Sequence, residues 1–243
     1  MNSATDGRAS HPAHVRVELL GGFRLVVGAD PVSLPRTSER VTAFVALNHN
    51  PLLRRFAAGT LWMDASEDRA IGNLRTALWR LRRCGLPVVE STTTHLRLAA
   101  SVEVDVDEQM WVAQEILQHS TRSDTADFGR LVNLDELLPG WYEDWVIVKR
   151  EQLRQLRLHA LERLCEQLTG AGSLSQAVQV GLYAVISEPL RESARRVLIR
   201  AYLAEGNRAE ALRQFTEYRE QLRDDLGADP SPQMLDLVRD LWR

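Results

Sequence analysis

Between Ser66 and Cys84 stand five arginines, Arg69, Arg75, Arg80, Arg82 and Arg83, and no acid follows Asp68. Guanidinium groups bind phosphates or fork onto the edge of guanine, and the amide of Asn73 in the same stretch matches adenine. At about 100° per residue, Arg69, Asn73, Thr76, Arg80 and Arg83 fall on one side of a helix. Ile71, Leu74, Ala77, Leu78 and Leu81 fall on the other as an apolar stripe, with Arg75 and Arg82 flanking it. Ser66 is the expected N-cap, and Glu67 and Asp68 sit in the first turn, where the helix dipole favours negative charge. Alone, such a helix reads as a solvated basic face. What precedes and follows it in the chain turns the reading toward a DNA duplex.

Upstream, Val15–Leu20 and Phe23–Val27 predict two strands joined at Gly21-Gly22, and Val32–Leu34 a third after the turn at Gly28–Pro31. Gly21-Gly22 is a hairpin turn and not a phosphate loop, because neither a GxGxxG pattern nor a Walker A motif follows. Thr37–Asn48 predicts a first helix and Leu53–Trp62 a second, with Asp64 and Ser66 bracketing the turn into the arginine-bearing third. Gly85 and Pro87 are expected to end that helix. Val88–Glu90 and His95–Leu98 then form a hairpin around the polar turn Ser91–Thr94, and Val102–Val106 closes a sheet. Strands, three helices and a hairpin are the order of a winged helix, with helices two and three as the helix-turn-helix and the hairpin as the wing.

Met1–His14 reads as a disordered tail, so the predicted domains are 15–106 and 107–243. Asp107 is the expected N-cap of a helix through Gln118, which explains Val104–Asp107 better than a metal-binding pair of acids. Ser120–Asp127 is a polar loop. Leu137–Trp145 supplies a turn with aromatic anchors, for which ordinary core and fixing of the angle between the halves are both open. Val146–Leu168 is a long amphipathic helix. Ser173–Ser187, Pro189–Glu205 and Arg208–Leu226 are three more, Pro189 taking the first helical position, and a last helix runs from Pro230–Pro232 to Trp242. Small and large residues alternate on these helices, as in tetratricopeptide pairs stacked into a short superhelix. The fold class is therefore mixed and mainly α: a winged helix with small antiparallel sheets, then an all-α domain.

The chain has 243 residues, 44% of them hydrophobic, and a net charge of −3. Through Val106 there are 13 Arg against 10 acids, net +3; the rest holds 17 Lys and Arg against 23 acids, net −6. A basic front and an acidic back suit different partners. Lys149 is the one lysine. Two widely spaced cysteines, Cys84 and Cys165, and no signal-peptide pattern fit a reduced, cytoplasmic protein. No apolar run approaches the ~20 residues of a membrane span. The six histidines show no metal-ligand spacing and no GxSxG elbow occurs, so no enzyme, cofactor or metal is expected.

These residues resemble the Streptomyces antibiotic regulatory protein family, whose members join an OmpR-like winged helix to a bacterial transcriptional activation domain. In the first half, Leu61-Trp62 and Asn73–Arg83 match the turn and recognition helix. In the second, Leu138–Trp145, Pro189–Ala194, Ala201–Leu212 and Leu226–Pro232 carry the likeness, which is more specific there. Leu52–Phe56 departs from the family, which more often starts helix two with a polar cap and an acid. The resemblance implies a sequence-specific activator, often of secondary-metabolite genes, that binds direct repeats near promoters and contacts RNA polymerase. It also implies the small form, without the ATPase module and sensor repeats of larger relatives.

Base readout is assigned to Arg69, Asn73, Thr76 and Arg80, and phosphate contacts to Arg36, Arg54, Arg75 and Arg83. Thr93, Thr94 and Arg97 are candidates for placing the wing in a minor groove, with cross-strand pairing the other reading of Arg97. Trp79 is expected under the wing, with contact to sugar and backbone the other reading. One winged helix reads few bases, so two protomers on a direct repeat are expected about one helical turn, ~10–10.5 bp, apart. The competing class is a protein-interaction adaptor with a degenerate DNA-binding domain.

Overall fold

A computed structural model describes residues 14–83, 88–118, 129, 131–132 and 135–239. The N-terminal tail through residue 13, the expected helix stop at Gly85 and Pro87, Cys84, the loop 120–127 and the chain after residue 239, Trp242 included, lie outside the described residues. Two compact units are formed. One holds the described residues up to Glu108 together with Asp135–Lys149; the other holds Gln109–Leu134 and Arg150–Arg243, as far as they are described.

In the first unit, β1 (Val15–Glu18), β2 (Arg24–Val27) and β3 (Asp30–Val32) form an antiparallel meander. Gly21 and Gly22 take φ of +72° and +134° between β1 and β2, where a Cβ would be strained. Next come α1 (Arg36–Ala46), β4 (Leu52–Leu53), α2 (Arg54–Leu61), α3 (Glu67–Arg83), β5 (Val89–Ser91), β6 (His95–Leu98) and β7 (Val102–Val104). β7 lies parallel to β1, giving the order β3-β2-β1-β7, and the other three strands run β4-β6-β5.

The second helix, expected from Leu53, begins one residue later, and Leu53 belongs with Leu52 to the strand β4. Its two residues pair with His95 and Leu96, a partner more than forty residues away that no local pattern displays. The helix expected to begin at Asp107 begins at Asp105 as α4 (Asp105–Gln118). The Asp105 carboxylate is taken by the backbone N–H groups of Leu19, Leu20 and Val106, at 2.9–3.0 Å. It thereby caps the end of β1 from the end of the neighbouring strand β7. Burial pushes this carboxyl above its ordinary range, and the three donors pull against that.

Asp135–Lys149 lies beyond Val106 in sequence and packs in the first unit. Leu137 bridges Leu20, and Leu138 N–H donates to the Leu19 carbonyl at 2.8 Å. Trp141 is buried with its ring 6.2 Å from Phe23, and Trp145 meets Phe44 edge-on at 5.2 Å. Trp141 and Trp145 thus pack into this unit, while Tyr142 of the same turn is exposed.

The second unit is helical. It contains most of α5 (Asp144–Gly170), then α6 (Leu174–Ser187), α7 (Glu192–Ala204), α8 (Arg208–Leu226) and α9 (Pro232–Val238). Short connections fold consecutive helices against each other, and α6 packs on α7 and α7 on α8. Gly181 lets α6 approach α7 closely: a Cβ there would lie 3.0–3.2 Å from Leu198. Pro189 is not the first residue of its helix. It lies in the turn before it, and Glu192 opens α7 instead, its carboxylate receiving the Ser231 N–H at 2.9 Å and the Ser231 hydroxyl. Ser231 in turn caps α9, with Pro232 at its first position.

Candidate nucleic-acid interface

The stripe that seats α3 consists of Ala70, Leu74, Ala77, Leu78 and Leu81, all buried. Burying each leucine is worth about 1.5–3 kcal/mol, so the face presented outward is fixed by the face turned inward. Ile71, expected in the stripe, is half-buried, and Ala70 takes the deeper place. The buried hydroxyl of Ser38 in α1 donates to the Ala77 carbonyl at 3.2 Å and pins α1 across the middle of α3. Arg40 fastens the helix-turn-helix from below. It donates to the Leu61 carbonyl at 2.8 Å, satisfying a terminal acceptor of α2, and pairs with Glu143 at 2.9 Å. Sequence reading passed over Arg40; its signal was its place on α1 facing the aromatic segment, which only folding reveals.

On the outward side Arg69, Asn73, Arg75, Thr76, Arg80, Arg82 and Arg83 are all exposed. The four residues assigned to base readout lie along one edge of α3. The Thr76 hydroxyl donates back to the Gly72 carbonyl at 3.0 Å, and Arg80 reaches Thr37 at 3.4 Å. Arg69, at the N-terminal end, borders a cleft of about 530 Å³ with Asp64 and Trp62. Among the described residues no carboxylate pairs with Arg69, Arg75, Arg82 or Arg83. Trp79 is 55% exposed rather than packed under the hairpin, and the Arg83 guanidinium lies 4.9 Å over its ring.

The residues assigned to phosphates divide. Arg83 is on the open face. Arg36 pairs with Glu39 at 3.5 Å and lies 3.6 Å over Trp141, so it is engaged within its own unit. Arg54 reaches across to the hairpin, donating to Ser91 Oγ and the Thr92 carbonyl, each at 3.3 Å. Burial, and then Arg75 and Arg82 nearby, pull its pKa down from the ordinary arginine value. On the hairpin, Thr93 and Thr94 are exposed at the tip, Thr94 Oγ1 lying 2.9 Å from His95 Nδ1. Arg97 pairs across the strands with Glu90 at 2.6 Å. Arg82, outside the assigned set, donates to Ser91 at 2.9 Å.

Among the described residues no helix is long and apolar enough to cross a membrane, and no group of three or more His, Cys, Asp or Glu is arranged to hold a metal ion.

Residues 131–241 match the family described as the bacterial transcriptional activator domain. Regulatory protein AfsR of Streptomyces coelicolor is 28% identical over 186 residues, 73% of this chain and 19% of that protein. Its counterpart from Streptomyces griseus is 26% identical over 245 residues, 94% of this chain and 24% of that protein. The chain thus spans a quarter or less of the length of these relatives. Among solved structures, Mycobacterium tuberculosis EmbR, in complex with a low affinity phosphopeptide, has a similar fold. Its TM-score is 0.75 at 19% identity, covering 95% of this chain and 65% of that one. A winged helix joined to the matched activator domain, with similarity to AfsR running through both, makes the chain similar to transcriptional regulators of the Streptomyces antibiotic regulatory protein type.

Proposed function

We propose that the chain is a sequence-specific DNA-binding activator whose α3 enters the major groove of direct repeats near promoters. The observation that carries this is the outward face of α3: seven exposed polar or cationic side chains and no acid after Asp68, on a helix locked in place by its buried stripe. Asn73, Thr76, Arg80 and Arg69 read base edges, and Arg54, Arg75 and Arg83 hold the backbone. The exposed threonines of the hairpin lie against the neighbouring minor groove. Two copies occupy a direct repeat, and the helical unit recruits RNA polymerase. The work is cytoplasmic, involves no catalysis or cofactor, and serves secondary-metabolite genes, as the resemblance to the Streptomyces antibiotic regulatory protein family implies.

A salt titration of binding to promoter duplexes tests this. A DNA reader gives a linear fall of log K with log salt, at about 0.9 per phosphate neutralised, and a preference for one sequence. An interaction adaptor with a degenerate winged helix gives neither.

A further inference from the structure

Three elements meet beside the C-terminal half of α3: the first turn of α2, the helix itself and the start of the β5–β6 turn. Arg54 and Arg82 converge there on a single atom. Arg54 Nη1 lies 3.3 Å and Arg82 Nη2 2.9 Å from Ser91 Oγ. A hydroxyl oxygen has two acceptor sites, and two guanidinium donors fill both. The Ser91 proton is left for a further acceptor, beside two positive charges.

Arg75, about two helical turns before Arg82, is close enough to act electrostatically on Arg54. Among the described residues no carboxylate pairs with any of the three arginines, and the first turn of α2 holds no acid. Three like charges, two of them on one hydroxyl, repel one another until an anion joins them. A phosphodiester fits: it has one negative charge and two non-bridging oxygens, which match guanidinium donors and a hydroxyl donor.

We propose that Arg54, Arg75, Arg82 and Ser91 form one binding site for a backbone phosphate of double-stranded DNA, joining α2, α3 and the hairpin. This rests on the DNA-binding reading above and assigns Arg82 and Ser91, which carried no role there. Arg54 and Arg82 are held by the shared oxygen before DNA arrives, so the site needs little ordering to bind. Its contribution is independent of sequence, in contrast to that of Asn73 and Arg80.

The test uses the full chain, a mixed-sequence duplex and inorganic phosphate as probes. Arg82→Ala lowers the slope of log K against log salt by about 0.9, and lowers affinity equally on every duplex. Arg82→Lys retains the slope. The melting temperature of the free Arg82→Ala chain is unchanged or raised, because a repulsion is relieved. Arg75→Ala, at an exposed residue, gives a second reading of the slope if Arg82→Ala fails to fold. Phosphate at constant ionic strength raises the melting temperature of the wild-type chain and not of Arg82→Ala. A steep wild-type slope unchanged in both alanine variants overturns the site and leaves the DNA-binding reading standing. Stabilisation by phosphate with that unchanged slope overturns it in favour of a free-phosphate site. A flat wild-type slope overturns the underlying reading itself.

Discussion

In the helical unit most of the described arginines pair with carboxylates. Arg191 meets Glu162 at 2.5 Å, Arg213 meets Glu210 and Glu217, and Arg154 meets Glu151 and Glu188. Arg195, 6% exposed, donates to Gln214 at 2.6 Å and lies 3.6 Å from Glu217. On α3 the same residue type stands in the open, and Arg69, Arg75, Arg82 and Arg83 have no carboxylate partner among the described residues. The contrast teaches what arginine count alone conceals. A guanidinium balanced by its neighbours stabilises a fold, and one left unbalanced on a rigid face holds its charge for an outside anion. Mutating a buried arginine of the first kind should cost stability, and mutating the second should cost binding.

The sharpest break in that comparison is at Arg195. Arg195→Ala strands the Gln214 amide oxygen and leaves a void, so the chain should lose about 2–3 kcal/mol of unfolding free energy in a denaturant titration. An unchanged midpoint would mean that this arginine, too, is dispensable to the fold. Next, Arg80→Ala should forfeit about 1–3 kcal/mol of discrimination between its preferred site and a single-base variant. Its thermal stability should stay within about 0.5 kcal/mol of wild type.

Titration gives a third, smaller distinction. Burial pushes the Cys165 thiol from 9.0 up to about 12, and burial together with Glu192 pushes the Tyr218 phenol from 10.0 up to about 12. Both are acids kept neutral by the fold. Between the unfolded and folded values the unfolded chain therefore binds fewer protons, and stability falls as pH rises. The helical unit should weaken from about pH 9 upward, by roughly 1 kcal/mol per pH unit for the thiol. Cys165→Ala should delay that decline to about pH 10, as seen in melting temperature against pH. The smallest effect belongs to Arg213→Ala. Its partners Glu210 and Glu217 stay in water, and neither melting temperature nor DNA affinity should move measurably.

Much of the winged helix was legible because its elements follow local periodicity. The α3 stripe, the hairpin around Ser91–Thr94 and the helix from Arg208 to Leu226 can each be read from their own residues. What escaped depends on partners far along the chain. Asp105 starts α4 because it serves Leu19 and Leu20, more than eighty residues away. Leu52 and Leu53 are strand because His95 and Leu96 lie beside them. Trp141 and Trp145 join the first unit through Phe23 and Phe44. Pro189 misled because a proline suits a turn as well as a first helical position, and Glu192, anchored by Ser231, sets the start of α7. The α3 face was legible as chemistry. Which of its arginines are engaged was not, since Ser91, Thr92 and Trp141 approach Arg54, Arg82 and Arg36 only in the folded chain.

The central claim, that the exposed face of α3 reads a duplex, is tested most directly by protection mapping on the intergenic DNA beside the gene, comparing wild type with a variant carrying Asn73→Ala and Arg80→Ala. The account predicts two protected patches on one face of the duplex, about one helical turn apart. In the variant these should fade into weak, sequence-independent coverage while its melting temperature is kept. Protection identical in the two proteins would contradict it.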